Sequence, residues 1–174
     1  YAYIGTHEEP RSNGERPDLV KTSAVPEVLL QSHSAVMALV FYDGKAFPAK
    51  YRGGAFAALR GSSNRTKRTG YKVVFLPFAK GIASGGYEDF LGGWMLGEDR
   101  PEVWGRPVGL AVLRDGSLLV TEDGAGTIWR VSSPPSVSAT SSPGCTSRIS
   151  STPMMSNAQL SEATQKRSPS LPSD

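Results

Sequence analysis

The chain has 174 residues, 39% of them hydrophobic and 20% charged, and its 19 Lys and Arg against 16 Asp and Glu leave a formal charge of +3. No window approaches the roughly 18 uninterrupted apolar residues that a membrane-spanning helix needs, and a single cysteine, Cys145, cannot build an internal disulfide framework. The length suits one domain or part of a larger one, and the basic excess is too small to argue for a nucleic-acid partner.

Tyr1 opens the chain with neither Met nor a basic-then-apolar leader, so the sequence reads as a fragment or a mature product. Residues 8–17, rich in Pro, Gly, Asn and charge, read as a surface loop, with Glu8, Glu9 and Asp18 as unpaired loop acids. Apolar runs follow at 35–42, 55–59, 71–76, 108–113, 117–121 and 127–131. Each is short, β-branched or aromatic, and bounded by Gly, Asp or Pro, which predicts strands rather than helices. Asp43-Gly44, Asp115-Gly116 and Asp123-Gly124 supply turn signals. The acids Glu88, Asp89, Glu98, Asp99 and Glu102 read as solvated. No segment sustains a 3.6-residue period, so residues 1–131 are predicted to be all-β. From 132 to 174 the composition changes, with 14 Ser, 6 Pro and 4 Thr but no Phe, Tyr or Trp. Such a segment buries too little apolar surface to offset the entropy of ordering it. A disordered Ser/Pro/Thr-rich tail is expected there, carrying Cys145 as an exposed thiol.

The body repeats itself. Val36-Met37-Ala38-Leu39-Val40-Phe41-Tyr42-Asp43-Gly44 lines up with Val108-Gly109-Leu110-Ala111-Val112-Leu113-Arg114-Asp115-Gly116, an offset of 108 − 36 = 72 residues. Each copy continues with a second strand and then a third introduced by Gly70 or Gly126. Strand, Asp-Gly turn, strand, Gly-led strand is the sequence pattern of one β-propeller blade. The first copy is longer by 45–53 and 61–69, which read as loops. About two blades are present, too few to close a ring, so the chain is a piece of something larger or it assembles. A two-sheet sandwich is the alternative arrangement.

More specific than the periodicity is a series of motifs in order. It runs from His33-Ser34-Ala35 through Phe47-Pro48-Ala49-Lys50-Tyr51, Gly61-Ser62-Ser63-Asn64-Arg65 and Gly70-Tyr71-Lys72-Val73-Val74. It continues with Gly85-Gly86-Tyr87-Glu88-Asp89-Phe90-Leu91, Gly105-Arg106-Pro107-Val108-Gly109 and Thr127-Ile128-Trp129-Arg130-Val131. Over about residues 1–131 these segments resemble the C-terminal part of the sorbosone dehydrogenase-like quinoproteins. That family includes fungal pyranose dehydrogenases dependent on pyrroloquinoline quinone (PQQ) and is related to soluble quinoprotein glucose dehydrogenase. The resemblance implies a six-bladed propeller of which this chain supplies about two blades. It implies PQQ and Ca²⁺ on the top face, a sugar substrate, an electron acceptor and an extracellular location. The family's catalytic His and Ca²⁺ ligands belong to earlier blades, so neither a catalytic residue nor a metal ligand is expected in this chain, nor activity from the chain alone.

PQQ carries three carboxylates, so its pocket needs cationic donors, ideally planar forks. By resemblance, His33, Asn64, Arg65 and Lys67 (or Arg68) lie at the cofactor rim, and Arg106 matches a family Arg that reaches the cofactor. Taken singly, His33 also reads as a structural histidine, Arg65, Lys67 and Arg68 as a solvated hairpin face, and Arg106 as a surface cation. Asn64-Arg65-Thr66 is also an N-glycosylation triplet. Two departures stand out. The family usually reads His-Gly-Ser-Trp-Asn-Arg where this chain has Arg60-Gly61-Ser62-Ser63-Asn64-Arg65. The change removes a flat stacking surface and puts a fixed charge in place of a titratable ring. These departures keep open a second function, a non-catalytic propeller fragment acting as a binding or assembly module. A nucleic-acid binder is disfavoured because residues 61–70 interleave no aromatics with their cations.

Overall fold

Runs of Val, Phe, Tyr and Leu take extended backbone because branched and aromatic side chains pack well on a pleated surface. The computed structural model of the chain, which describes residues 2–97 and 99–133, follows that rule. In chain order the strands are β1 (Ala2–Ile4), β2 (His7–Glu8), β3 (Val36–Tyr42), β4 (Gly54–Leu59), β5 (Lys72–Leu76), β6 (Phe78–Ala79), β7 (Ile82–Ala83), β8 (Glu88–Leu91), β9 (Pro107–Val112), β10 (Leu118–Glu122) and β11 (Ile128–Val131). One short helix, α1 (Pro17–Thr22), lies between β2 and β3, with Pro17 in its first turn and Asp18 near its positive end. Six residues are too few to display a helical period, which is why the sequence pattern missed it. Two of the three acids read as unpaired have partners: Glu9 binds Arg11 and Asp18 binds Arg16, each at 2.7 Å. The tail expected to be disordered falls, from residue 134 onward, outside the described residues, and Cys145 with it.

Two antiparallel sheets carry the repeat. The first has the order β3-β4-β5-β8 and the second β11-β10-β9. Each runs outward from its first strand, and the closest inter-sheet approaches are those of β3 and β4 to β9. First strands adjacent is an arrangement that successive propeller blades also have, and the all-β expectation stands, with one short helix added. The strand β8 went unread because Glu88 and Asp89 look solvated in sequence. Both are indeed exposed, on a sheet edge where they pair with Lys50 at 2.8 Å and Lys72 at 2.7 Å.

Period-2 alternation divides each sheet into two faces. Between the sheets, Tyr42, Phe56, Val73 and Phe75 meet Leu118 and Val120, flanked by Leu110, Val112 and Trp129. The segment 45–53, expected to be a loop, is one, but it sends Phe47 into this core against Tyr42, Phe56 and Phe90. On the other face of the first sheet, Ala57, Leu59, Val74 and Leu76 are covered by Val28, Leu30 and Phe78. The cover thins at β3, where Phe78 meets Phe41 edge-on at 5.2 Å but Met37, Leu39 and Phe41 are still 55%, 53% and 60% exposed. At the far end of β3, Tyr42 Oη donates to the Gly116 carbonyl at 2.9 Å and accepts from the Phe47 N–H, tying the first sheet to the turn of the second.

Candidate functional site

Because the two copies run the same way, the residues just before β3 and just before β9 emerge at one end of the sheets. The expected cofactor residues lie at this end.

The loop 61–71 is closed at its neck by two glycines. Gly61 (φ +97°) lies against the Tyr71 ring, and a Cβ on Gly70 (φ +87°) would stand 2.6 Å from the Gly61 Cα. Ser62 N–H donates to the Thr69 carbonyl at 2.9 Å, Thr69 N–H returns to Ser62 Oγ at 3.1 Å, and Tyr71 Oη donates to the Ser62 carbonyl. Arg68 folds inward, its Nη1 donating to the carbonyls of Ser62 at 3.1 Å and Ser63 at 3.0 Å. Arg68 therefore holds the loop, while Asn64, Arg65 and Lys67 are displayed on an exposed tip. Arg65 and Lys67 face an open pocket of about 210 Å³, shared with Gln31, Arg68, Lys72 and Met95. Neither makes an ion pair among the described residues. Gln31, Lys72 and Met95 were invisible as site candidates in sequence, since each comes from a different segment.

His33 and Arg106 do not line that pocket. His33 is exposed, with φ +64°, and Ala35 beside it has φ +50°, a left-handed conformation that costs a non-glycine residue about 1–2 kcal/mol. That bend is fixed by Arg60 N–H donating to the Ala35 carbonyl at 2.9 Å and Gly61 N–H to the Ser34 carbonyl at 2.8 Å. Arg106 is half-buried, with its backbone pinned on both sides. Its N–H donates to Glu122 Oε2 at 3.3 Å and its carbonyl accepts from Asp123 N–H at 3.1 Å. Glu122 is 4% exposed and also accepts from the N–H groups of Gly124, Ala125 and Thr127. Burial alone would raise its pKa, but the four backbone donors together outweigh that and hold it below the ordinary carboxylate value. Asp123 accepts from Arg60 Nε at 2.8 Å, so the fixed charge noted in the sequence is neutralised across the two sheets.

The end of the molecule thus presents three cations, Arg65, Lys67 and Arg106, whose side chains make no ion pair among the described residues. Two buried polar atoms lack partners there as well: Ser34 Oγ, next to His33, and Trp94 Nε1, on a ring packed against Gly105. Cations with no ion pair among the described residues, two of them arginines with planar forks, suit a ligand rich in carboxylates such as a tricarboxylate quinone. Among the described residues no group of three or more His, Cys, Asp or Glu stands together to hold a metal ion.

Comparison with known proteins defines the class. Residues 10–134 match the family model described as TrAA12-like. The chain belongs to this family. It is similar to the holo form of the pyranose dehydrogenase PQQ domain from Coprinopsis cinerea, with 25% identity and a TM-score of 0.53 over 67% of this chain and 31% of that one. The calcium structure of a Trichoderma reesei carbohydrate-active enzyme of family AA12 matches with a TM-score of 0.54 and 23% identity over 66% of this chain and 28% of that one, a likeness of fold. An uncharacterised protein of Borreliella burgdorferi is 37% identical over 112 residues, which is 63% of this chain and 29% of the relative. The chain therefore spans about a third or less of the length of each relative. No helix among the described residues is long and apolar enough to cross a membrane.

Proposed function

We propose that the chain is the C-terminal portion of a PQQ-dependent sugar dehydrogenase of the pyranose or sorbosone type, and that it contributes cofactor-binding cations without being active alone. In this reading residues 1–131 are about two blades of a six-bladed propeller and 132–174 a separate tail. The observation that carries it is the set of unpaired cations, Arg65, Lys67 and Arg106, at one end of a fold shared with a PQQ domain. Arg106, whose backbone is held by Glu122 and Asp123, would give a planar fork to one carboxylate. Arg65 and Lys67, on the loop tip, would close over another, with Asn64 and His33 at the rim. When bound, PQQ supplies a quinone that accepts two electrons from the sugar. The residues of this chain bind and orient it. The base and the Ca²⁺ ligands belong, on this reading, to blades outside the chain, and so do the contacts to an electron acceptor. Export to the extracellular space belongs to the same reading.

A second function, a non-catalytic binding or assembly module, is favoured by one feature. Ser63 offers only its backbone carbonyl to the loop and no flat surface to a planar cofactor. Titration of the full chain with PQQ and Ca²⁺, read by quenching of Trp94, Trp104 and Trp129, separates the two. Trp94 packs directly against Gly105, beside Arg106, and is placed to report. The expected result is saturable quenching, weakened about tenfold or more in Arg106→Ala, since a charge-assisted hydrogen bond contributes roughly 1.5–3 kcal/mol. A folded chain with no saturable quenching would favour the non-catalytic reading instead.

A further inference from the structure

The two halves of the candidate site are each locally rigid. On one side, the Arg60 and Gly61 N–H groups bind the Ala35 and Ser34 carbonyls, so Arg60 moves with the bend that displays His33. On the other, Asp123 N–H binds the Arg106 carbonyl and the neighbouring Glu122 carboxylate takes the Arg106 N–H, so Asp123 moves with Arg106. One side-chain bond joins these units, Arg60 Nε to Asp123 Oδ2 at 2.8 Å, between residues 63 apart in sequence. At the opposite end of the first strands, the Tyr42–Gly116 bond provides a separate tie.

We propose that the Arg60–Asp123 pair is an inter-sheet latch that holds the His33 bend and the Arg106 loop in register, making Arg60 a positioning residue for an anionic ligand. The identity of that ligand as PQQ rests on the reading above; the latch does not. The side chains of Arg60 and Asp123 are 31% and 40% exposed, so the pair adds little to global stability. It is therefore separable from the fold, whose core lies between the sheets. The pairing also removes Arg60 as a free cation. An anion at this end then meets Arg106, with no competing charge from Arg60.

The test uses Arg60→Gln, Asp123→Asn and the charge swap Arg60→Asp/Asp123→Arg in the full chain. Hydrogen exchange is followed at the amides of Arg60, Gly61, Arg106 and Asp123. The single variants are expected to exchange about two- to fivefold faster at these amides, with a melting temperature within about 4 °C of the parent. The swap should restore slow exchange. Where PQQ binds, both single variants should weaken it by a similar factor, because each frees the same two units. Unchanged exchange in both single variants overturns the latch. Weaker PQQ binding in Arg60→Gln but tighter binding in Asp123→Asn also overturns it, since Arg60 would then be a direct ligand that Asp123 restrains. A parent chain that does not bind PQQ removes the cofactor reading, and the exchange rates still decide the latch.

Discussion

Glu122 illustrates how much one side chain can organise. Its carboxylate is buried yet receives four backbone N–H groups, among them Gly124 at 2.7 Å and Thr127 at 2.8 Å. It folds the turn between β10 and β11 and supports Arg106 from below. Replacing it with Gln leaves the shape but turns one acceptor into a donor facing donors. Glu122→Gln is expected to lose about 1–3 kcal/mol in urea denaturation at pH 7. The sign of its pH dependence follows from the lowered pKa: the stabilisation is present above the unfolded value, near 4.3, and is lost as pH falls through the folded one. The parent should therefore lose stability in acid more steeply than Glu122→Gln, and equal slopes would refute this role. Asp115 behaves in the same sense. The Ser117 hydroxyl, the Ser117 N–H and Arg130 hold it down to about 2.

At the scale of elements, the loop 61–71 depends on its glycines. A Cβ on Gly70 would meet the Gly61 Cα at 2.6 Å and the Ser34 carbonyl at 3.1 Å, at a φ of +87° that side chains rarely adopt. Backbone lies on both sides, so nothing flexible can give way. Gly70→Ala is expected to cost about 2–4 kcal/mol of stability, and to release the Ser62–Thr69 pairing that presents Arg65 and Lys67. Thermal unfolding together with amide exchange at Ser62 and Thr69 measures both effects; an unaltered melting temperature would show that the neck is not packed as described. Much of this architecture was legible in sequence. The strands β3, β4, β5, β9, β10 and β11 carry branched or aromatic runs with turn residues between them, and the repeat aligned the two sheets. What escaped was set by distance along the chain. Glu88 and Asp89 hide β8 because their partners are Lys50 and Lys72. The neutralisation of Arg60 by Asp123, and the capture of Phe47 by the core, likewise join segments that no local pattern connects.

The whole molecule is asymmetric in what it covers. One face of the first sheet is sealed by the second sheet, and β4 is buried along its entire length. The opposite face is sealed only as far as β4 and β5, and Met37, Leu39 and Phe41 project from β3 with more than half their surface in solvent. Three large apolar side chains in a row on one strand form a sticky stripe, of the kind soluble proteins cover. The chain spans about a third of the length of its relatives. The double variant Leu39→Lys/Phe41→Lys is therefore expected to fold as well as the parent, with a melting temperature within about 3 °C, because the replaced groups are already exposed. It should bind less of a hydrophobic dye and show a lower average mass by light scattering at high concentration. Mixed with PQQ, Ca²⁺, a pyranose and an artificial electron acceptor, parent and variant alike should show no turnover. A large fall in melting temperature would mean that the stripe is covered within the chain itself. Turnover by the parent would mean that these two sheets hold a complete catalytic site.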